Sequence, residues 1–260
     1  MSLTYSTYLK IDELLSLQEP RTESPEPHEM LFIVIHQASE LWFKQILHEL
    51  DYLRDAFEKN ETPRILQTLK RVLSIWKTVI VQIDILETMT PTQFISFRNN
   101  LGSASGFQSV QFRELEFVLG LKRRSILNHF PKGSEEWQRL ASRYRQPTVW
   151  DAFLRYLTHN AYAVPETLLT RDVTETLEPS AEVPQILIDI YRQDPQTTLI
   201  CERLVELDEN LQEWRYRHVK LAERMIGIKP GSGGSSGIKY LKSTLFKPLF
   251  PDLWQVRSQL

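Results

Sequence analysis

The stretch Met30-Leu-Phe-Ile-Val-Ile-His36-Gln-Ala-Ser-Glu-Leu-Trp42 is where the fold is read. Apolar residues at 31–35, 38, 41–43, 46 and 47 leave no wide polar face over the first turns. A helix apolar all round is a buried helix, so these residues predict an interior helix with His36 inside the protein. A buried imidazole needs a partner, because desolvating it unpaired costs roughly 1–3 kcal/mol. Alone, the stretch is satisfied by a core histidine bonded to a backbone carbonyl.

Outward from it, helical signals dominate. Residues 29–58 read as one long helix, opened by Pro25, Pro27 and Glu29, which suit a first turn. Residues 62–88 repeat apolar side chains every three or four positions, with Pro63 near the start. Thr90-Pro91 opens a short helix carrying Phe94, Phe97 and Arg98, and 107–121 is helical after the break Gly102-Ser-Ala-Ser-Gly106. Further helices fit 135–145, 148–159, 183–193 and 196–227. Nothing alternates with period two and no internal repeat is visible. The expectation is an all-α chain forming a single helical-bundle domain over 1–260, with a satellite helical region near 122–180.

The bulk numbers exclude several function classes. With 31 Lys and Arg against 33 Asp and Glu, the net charge of −2 gives no general attraction to nucleic acid or an anionic membrane. One cysteine, Cys201, excludes an internal disulfide and a Cys-rich zinc site. The N-terminus lacks the basic segment and apolar core of a signal peptide, and no apolar run approaches the ~20 residues of a membrane span. A cytoplasmic protein is expected.

Six histidines, at 28, 36, 48, 129, 159 and 218, form no HxxxH or HExxH pair, so a helix-borne zinc site is unsupported. Single histidines on separate helices suit a cofactor that needs one axial imidazole, as haem does. His218 is the better axial candidate: Arg215, Arg217, Lys220 and Arg224 around it are suited to propionates, although an ordinary basic helix reads the same way. Arg98, one turn after Phe94, suits an aromatic amino acid whose carboxylate it grips, or is an arginine snorkelling at a helix edge. Four of the nine glycines fall in Gly231-Ser-Gly-Gly-Ser-Ser-Gly237, a linker or a loop whose backbone N–H groups approach a ligand.

Taken together, Tyr5-Ser-Thr-Tyr8-Leu9, HEMLFIVIHQASELWFKQILHEL (28–50), LETMTPTQFISFR (86–98), SASGFQSVQFRELEF (103–117), WRYRH (214–218) and GSGGSSG (231–237) resemble the tryptophan 2,3-dioxygenase family in its compact bacterial form. The likeness runs from about Tyr5 to Leu253. It implies an all-α haem enzyme and homotetramer that inserts both atoms of O2 into the indole 2,3-bond of L-tryptophan, giving N-formylkynurenine in tryptophan catabolism. Haem b, one per subunit and ferrous when active, and O2 as co-substrate come with it. His218 resembles the proximal iron ligand, and Trp214, heading the same motif, is assigned with it to the cofactor. His36 resembles the distal histidine that accepts the indole N–H, Phe32 and Phe94 the walls of the indole pocket, and Arg98 the partner of the substrate carboxylate. Ser105 resembles a serine near haem and substrate. Tyr5, Tyr8 and Leu9 resemble a segment that completes a neighbouring subunit's pocket.

One departure stands out. The family usually has threonine where this chain has Ser232, at the contact with the amino-acid moiety; serine keeps the hydroxyl and loses a methyl. This leaves a second enzymatic reading, a haem-dependent mono-oxygenase making oxindoles from tryptophan or a methylated tryptophan in a natural-product pathway. A haem sensor or carrier is a third reading, disfavoured because a sensor has no need of Arg98 and Phe32 beside His36.

Overall fold

The computed structural model describes residues 2–23, 26–229, 231 and 237–260; Ser232 therefore lies outside the described residues. The elements are α1 (Tyr5–Leu9), α2 (Ile11–Leu15), α3 (Pro27–Glu58), α4 (Thr62–Glu87), α5 (Pro91–Arg98), α6 (Val110–Val118), α7 (Glu135–Tyr144), α8 (Val149–His159), α9 (Glu166–Leu169), α10 (Val183–Gln193), α11 (Pro195–Ile226), α12 (Ile238–Lys242) and α13 (Pro251–Gln255), with short 3-10 turns between some of them. No strand occurs among the described residues, and the all-α expectation holds.

Local chemistry explains the long boundaries. Proline opens α3, α4, α5, α10 and α11, where its missing N–H leaves no bond unmade. The α3–α4 turn is closed by Asn60 in the left-handed region (φ 55°), with the Glu61 N–H donating to the Ala56 carbonyl at 3.0 Å. This turn makes α3 and α4 antiparallel. α11 runs parallel to α4, as Lys77–Glu206 (3.1 Å) and Arg217 with Asp84 and Glu87 require. Asp208, in the middle of α11, accepts from Leu249 N–H (2.7 Å) and Trp254 Nε1–H (2.8 Å) and so fastens the C-terminal segment to the bundle.

The main core joins α3, α4, α8, α10 and α11 with the 249–256 segment. A smaller cluster of Ile83, Met89, Phe97, Leu221 and Met225 packs the far end of the bundle. The segment expected as a satellite is divided: Val149–Leu157 lie in the main core, while Ile126 and Leu140 sit with Phe117 in a third cluster.

The interior reading of the opening stretch needs correcting on one side. Ile35 and Phe43 are buried, but Met30, Val34 and Leu41 are 40, 43 and 53 % exposed in the single chain. Their spacings of four and seven place them on one stripe of α3, turned away from α4 and α11. The helix is apolar all round, yet one chain covers only part of it.

Candidate active site

The C-terminal ends of α4 and α11 and the N-terminal half of α3 diverge around a cavity of ≈ 1810 Å3, counting its open mouth. α5, the turn at Ser105 and α6 close its sides, and Gly231 and Gly237 flank it. Phe32, His36, Phe94, Arg98, Ser105, Trp214 and His218, each read from the sequence, all line it. The chain thus brings together residues separated by more than 180 positions.

His36 is not sealed in the core as expected. It is accessible, and the space it opens into is the cavity. The dense protein around the ring still desolvates it, and this pulls its pKa below the ordinary value, against the opposing pull of the Phe32 carbonyl and the Glu40 charge. Its Nδ1 lies 2.7 Å from the Phe32 carbonyl one turn back. A carbonyl only accepts, so Nδ1 carries the proton, and neutral His36 keeps the Nε2 lone pair as an acceptor. One ring nitrogen is thus satisfied within the helix, and the other remains an acceptor on a residue that lines the cavity.

Phe32 lies close to His36 (4.0 Å between ring centroids, tilted at 35°) and meets Phe94 at 5.9 Å and Phe97 at 5.5 Å. A capping box at Thr90 starts α5: the Thr90 N–H donates to the Gln93 side chain at 2.8 Å. This helix presents Phe94 and Arg98 to the cavity from consecutive turns, with Phe97 fully buried behind them. Ser105 caps the turn before α6, its hydroxyl accepting from Phe107 N–H at 3.3 Å.

His218 lies opposite, one turn after Trp214, and the two rings are stacked (5.0 Å, 18°). Trp214 is anchored edge-on by Phe43 at 6.1 Å and Trp76 at 6.4 Å. Burial, with smaller contributions from the His36 and Arg113 charges, pulls the His218 pKa down to about 4, so the imidazole is neutral. A neutral imidazole is what binds a metal ion.

The basic helix around His218 divides differently from the sequence reading. Arg217 pairs with Asp84 and Glu87, and Lys220 with Glu223 at 2.8 Å, on the outer surface, and Arg224 does not line the cavity. Arg215 alone of the four turns inward, joined there by Arg113 of α6. Both donate to Glu116, Arg113 at 2.6 Å and Arg215 at 2.7 Å. Neither Arg113 nor Glu116 is among the site residues expected from the sequence. An opposite-charge pair three residues apart inside the apolar VQFRELEFV was the available signal.

Tyr5, Tyr8 and Leu9 do not reach this cavity. They lie on α1, 78, 70 and 42 % exposed.

The comparison with known proteins decides the family. The model of the family described as tryptophan 2,3-dioxygenase matches residues 1–160 and 166–260. The chain belongs to the tryptophan 2,3-dioxygenase family. It is 58% identical over 259 residues to the tryptophan 2,3-dioxygenase of Herpetosiphon aurantiacus, covering 100% of this chain and 99% of that one. It is 52% identical over 259 residues to that of Anaeromyxobacter sp. (100% and 97% covered) and 42% identical over 262 residues to that of Caulobacter vibrioides (99% and 98%). Tryptophan 2,3-dioxygenases are haem-dependent oxidoreductases. Among the described residues no group of three or more His, Cys, Asp or Glu is placed to hold a metal ion. No described helix is long and apolar enough to cross a membrane.

Proposed function

We propose that this chain is a haem-dependent dioxygenase that inserts both atoms of O2 across the indole 2,3-bond of L-tryptophan to give N-formylkynurenine, the first step of the kynurenine pathway. The observation that carries the reading is the convergence of His36, Phe32, Phe94, Arg98 and His218 on one cavity in a chain of this family.

The residues present fit haem b, one per chain. His218 offers a neutral ring nitrogen with Trp214 stacked on it. On the α6 side the Arg215 Nε–H is a buried donor with no partner among the described residues, beside Arg113. A buried orphan donor is costly, and a carboxylate such as a haem propionate satisfies it. Ferrous haem, when bound, supplies the oxygen chemistry, and the protein contributes positioning and electrostatics.

The protein's own part is argued from the opposite wall. His36 Nε2 accepts the indole N–H, Phe32 and Phe94 pack the ring, and Arg98 grips the carboxylate. Ser105 completes the polar end, and the contact with the amino-acid moiety that the family's threonine makes falls to Ser232. The apolar lining of Ile83, Leu86 and Val219 excludes water. No strong general base is asked of the site, and lowered basicity suits His36 to orienting the indole without removing its proton. Tyr5, Tyr8 and Leu9 complete the pocket of a neighbouring subunit in a homotetramer. Their exposure, and that of Met30, Val34 and Leu41, supports such an assembly. We also read the chain as one haem-binding domain over 1–260 acting in the cytoplasm.

The test is the mass of the product formed from L-tryptophan by haem-loaded protein. A product two oxygen atoms heavier is expected. One oxygen heavier would reject the dioxygenase reading for the mono-oxygenase.

A further inference from the structure

Four ionisable groups are packed together between α6 and α11: Arg113, Glu116 and Arg215 line the cavity, and the partly exposed Arg123 joins them through Glu116. Glu116 is 1 % exposed and Arg215 3 % exposed, and Arg113 is buried beside them. Glu116 Oε2 accepts from Arg113 at 2.6 Å, and Oε1 accepts from both Arg215 and Arg123 at 2.7 Å. The remaining guanidinium contacts are neutral: the Phe107 carbonyl for Arg113 (3.2 Å), the Thr244 carbonyl for Arg215 (3.2 Å) and the Tyr240 hydroxyl for Arg123 (3.2 Å).

Three guanidiniums against one carboxylate leave this cluster at +2. A buried excess of charge is expensive unless something of opposite sign meets it. No other carboxylate pairs with these arginines among the described residues. Glu40, the other acid on the cavity wall, is bonded instead to Gln111 at 2.8 Å. The cavity is the side from which the compensating charge can arrive, and the unpaired Arg215 Nε–H is a donor left for it.

We propose that Glu116 is the positioning residue for the cofactor: it clamps Arg113 and Arg215 in the wall and leaves a net charge of +2, which matches the two carboxylates of haem b and sets the reduction potential of the iron. The proposal rests on the haem reading above. Positive charge buried near a haem favours the reduced iron, because the ferric state carries one more positive charge and the low-dielectric wall screens it poorly. Glu116 therefore tunes as well as holds. Without it the cluster stands at +3.

The experiment is the midpoint potential of haem-loaded protein, by spectroelectrochemistry, with haem content read from the Soret band. Glu116→Gln should shift the potential positive, and Arg123→Gln, which takes the cluster to +1, should shift it negative. Each shift should be about tenfold in the ferrous-to-ferric ratio, ~59 mV for a one-electron couple. The double variant Glu116→Gln/Arg123→Gln returns the cluster to +2 and should bring the potential back toward wild type. Arg123 sits at the partly exposed rim, so its variant decides the sign even if the buried Glu116→Gln does not fold. Shifts of the same sign, or no shift in Arg123→Gln with haem retained, overturn the role of Glu116 and leave the haem reading standing. Wild-type protein that takes up no haem overturns the haem reading itself.

Discussion

His36 has two ring nitrogens, one held by its own helix and one that, in the proposed reading, accepts the indole N–H. The Phe32 carbonyl holds Nδ1 as the donor at 2.7 Å, which fixes the tautomer and leaves Nε2 as the acceptor. An oriented hydrogen bond of that kind contributes ~1.5–3 kcal/mol, or about 10–200-fold in rate. His36→Ala should therefore lose 10–200-fold in kcat/KM by that estimate and keep measurable turnover. A substrate methylated on the indole nitrogen should clash with wild type and be relatively better accepted by the alanine variant. Steady-state kinetics with both substrates checks this. Complete loss of turnover in His36→Ala would show that the imidazole does more than orient.

At the scale of elements, α3 and α11 differ in what they ask of their neighbours. α11 delivers Trp214, Arg215 and His218 inward from within little more than one turn, while Arg217 and Lys220 face solvent and pair there. α3 delivers Phe32 and His36 inward from the stretch whose other stripe is uncovered. The short α1 is likewise left uncovered. It is held by its own capping box at Thr4 and buries none of its residues in its own chain. A helix of five residues is not stable by itself, and in the proposed assembly the neighbouring subunit supports it. Deleting residues 2–9 should raise KM for L-tryptophan sharply while leaving the Soret band of the haem-loaded protein nearly intact. Unchanged kinetics in the truncated protein would remove the neighbour's pocket from the account.

For the molecule as a whole, the buried charges make stability depend on acid. Burial opposes ionisation of Glu116, but Arg113, Arg215 and Arg123 outweigh it and hold its pKa at about 2, against 4.5 ordinarily. A depressed carboxyl contributes stability that is fully present above the unfolded value and lost as pH falls. The window is therefore from about pH 4.5 down to about 2, and the loss is about 3 kcal/mol. Asp252 has the opposite sign: burial raises its pKa to about 6 despite the bond from Ser180 N–H, so its contribution falls as pH rises between 3.8 and about 6. Urea unfolding of wild type should weaken steeply below pH 4.5. Glu116→Gln, less stable at neutral pH, should show a shallower fall over the same range. Parallel pH profiles for the two proteins would mean that Glu116 is not the group being titrated.

The helices were legible in the sequence because their signals are local, whereas His36, Arg98 and His218 were marked as site residues only by the resemblance of their motifs to the family. Apolar period and opening prolines placed α3, α4, α5, α8, α10 and α11 within a residue or two, and Phe94 and Arg98 share a face because they stand four residues apart. Elements of four or five residues, α1, α2, α9, α12 and α13, left no period to read. The motifs likewise marked His36, Arg98 and His218 without showing what each would face. Helical spacing says which side chains share a face; it does not say what is packed against that face. Only the tertiary structure decided that Arg215 turns inward while Arg217 and Lys220 turn out, and that Glu116 meets an arginine 99 positions away. It also decided that His36 opens into a cavity rather than into the core, and that one stripe of its helix is left uncovered. Those outcomes depend on how α3, α6 and α11 cross, and that is settled by the burial of the whole bundle rather than by any stretch of chain read alone.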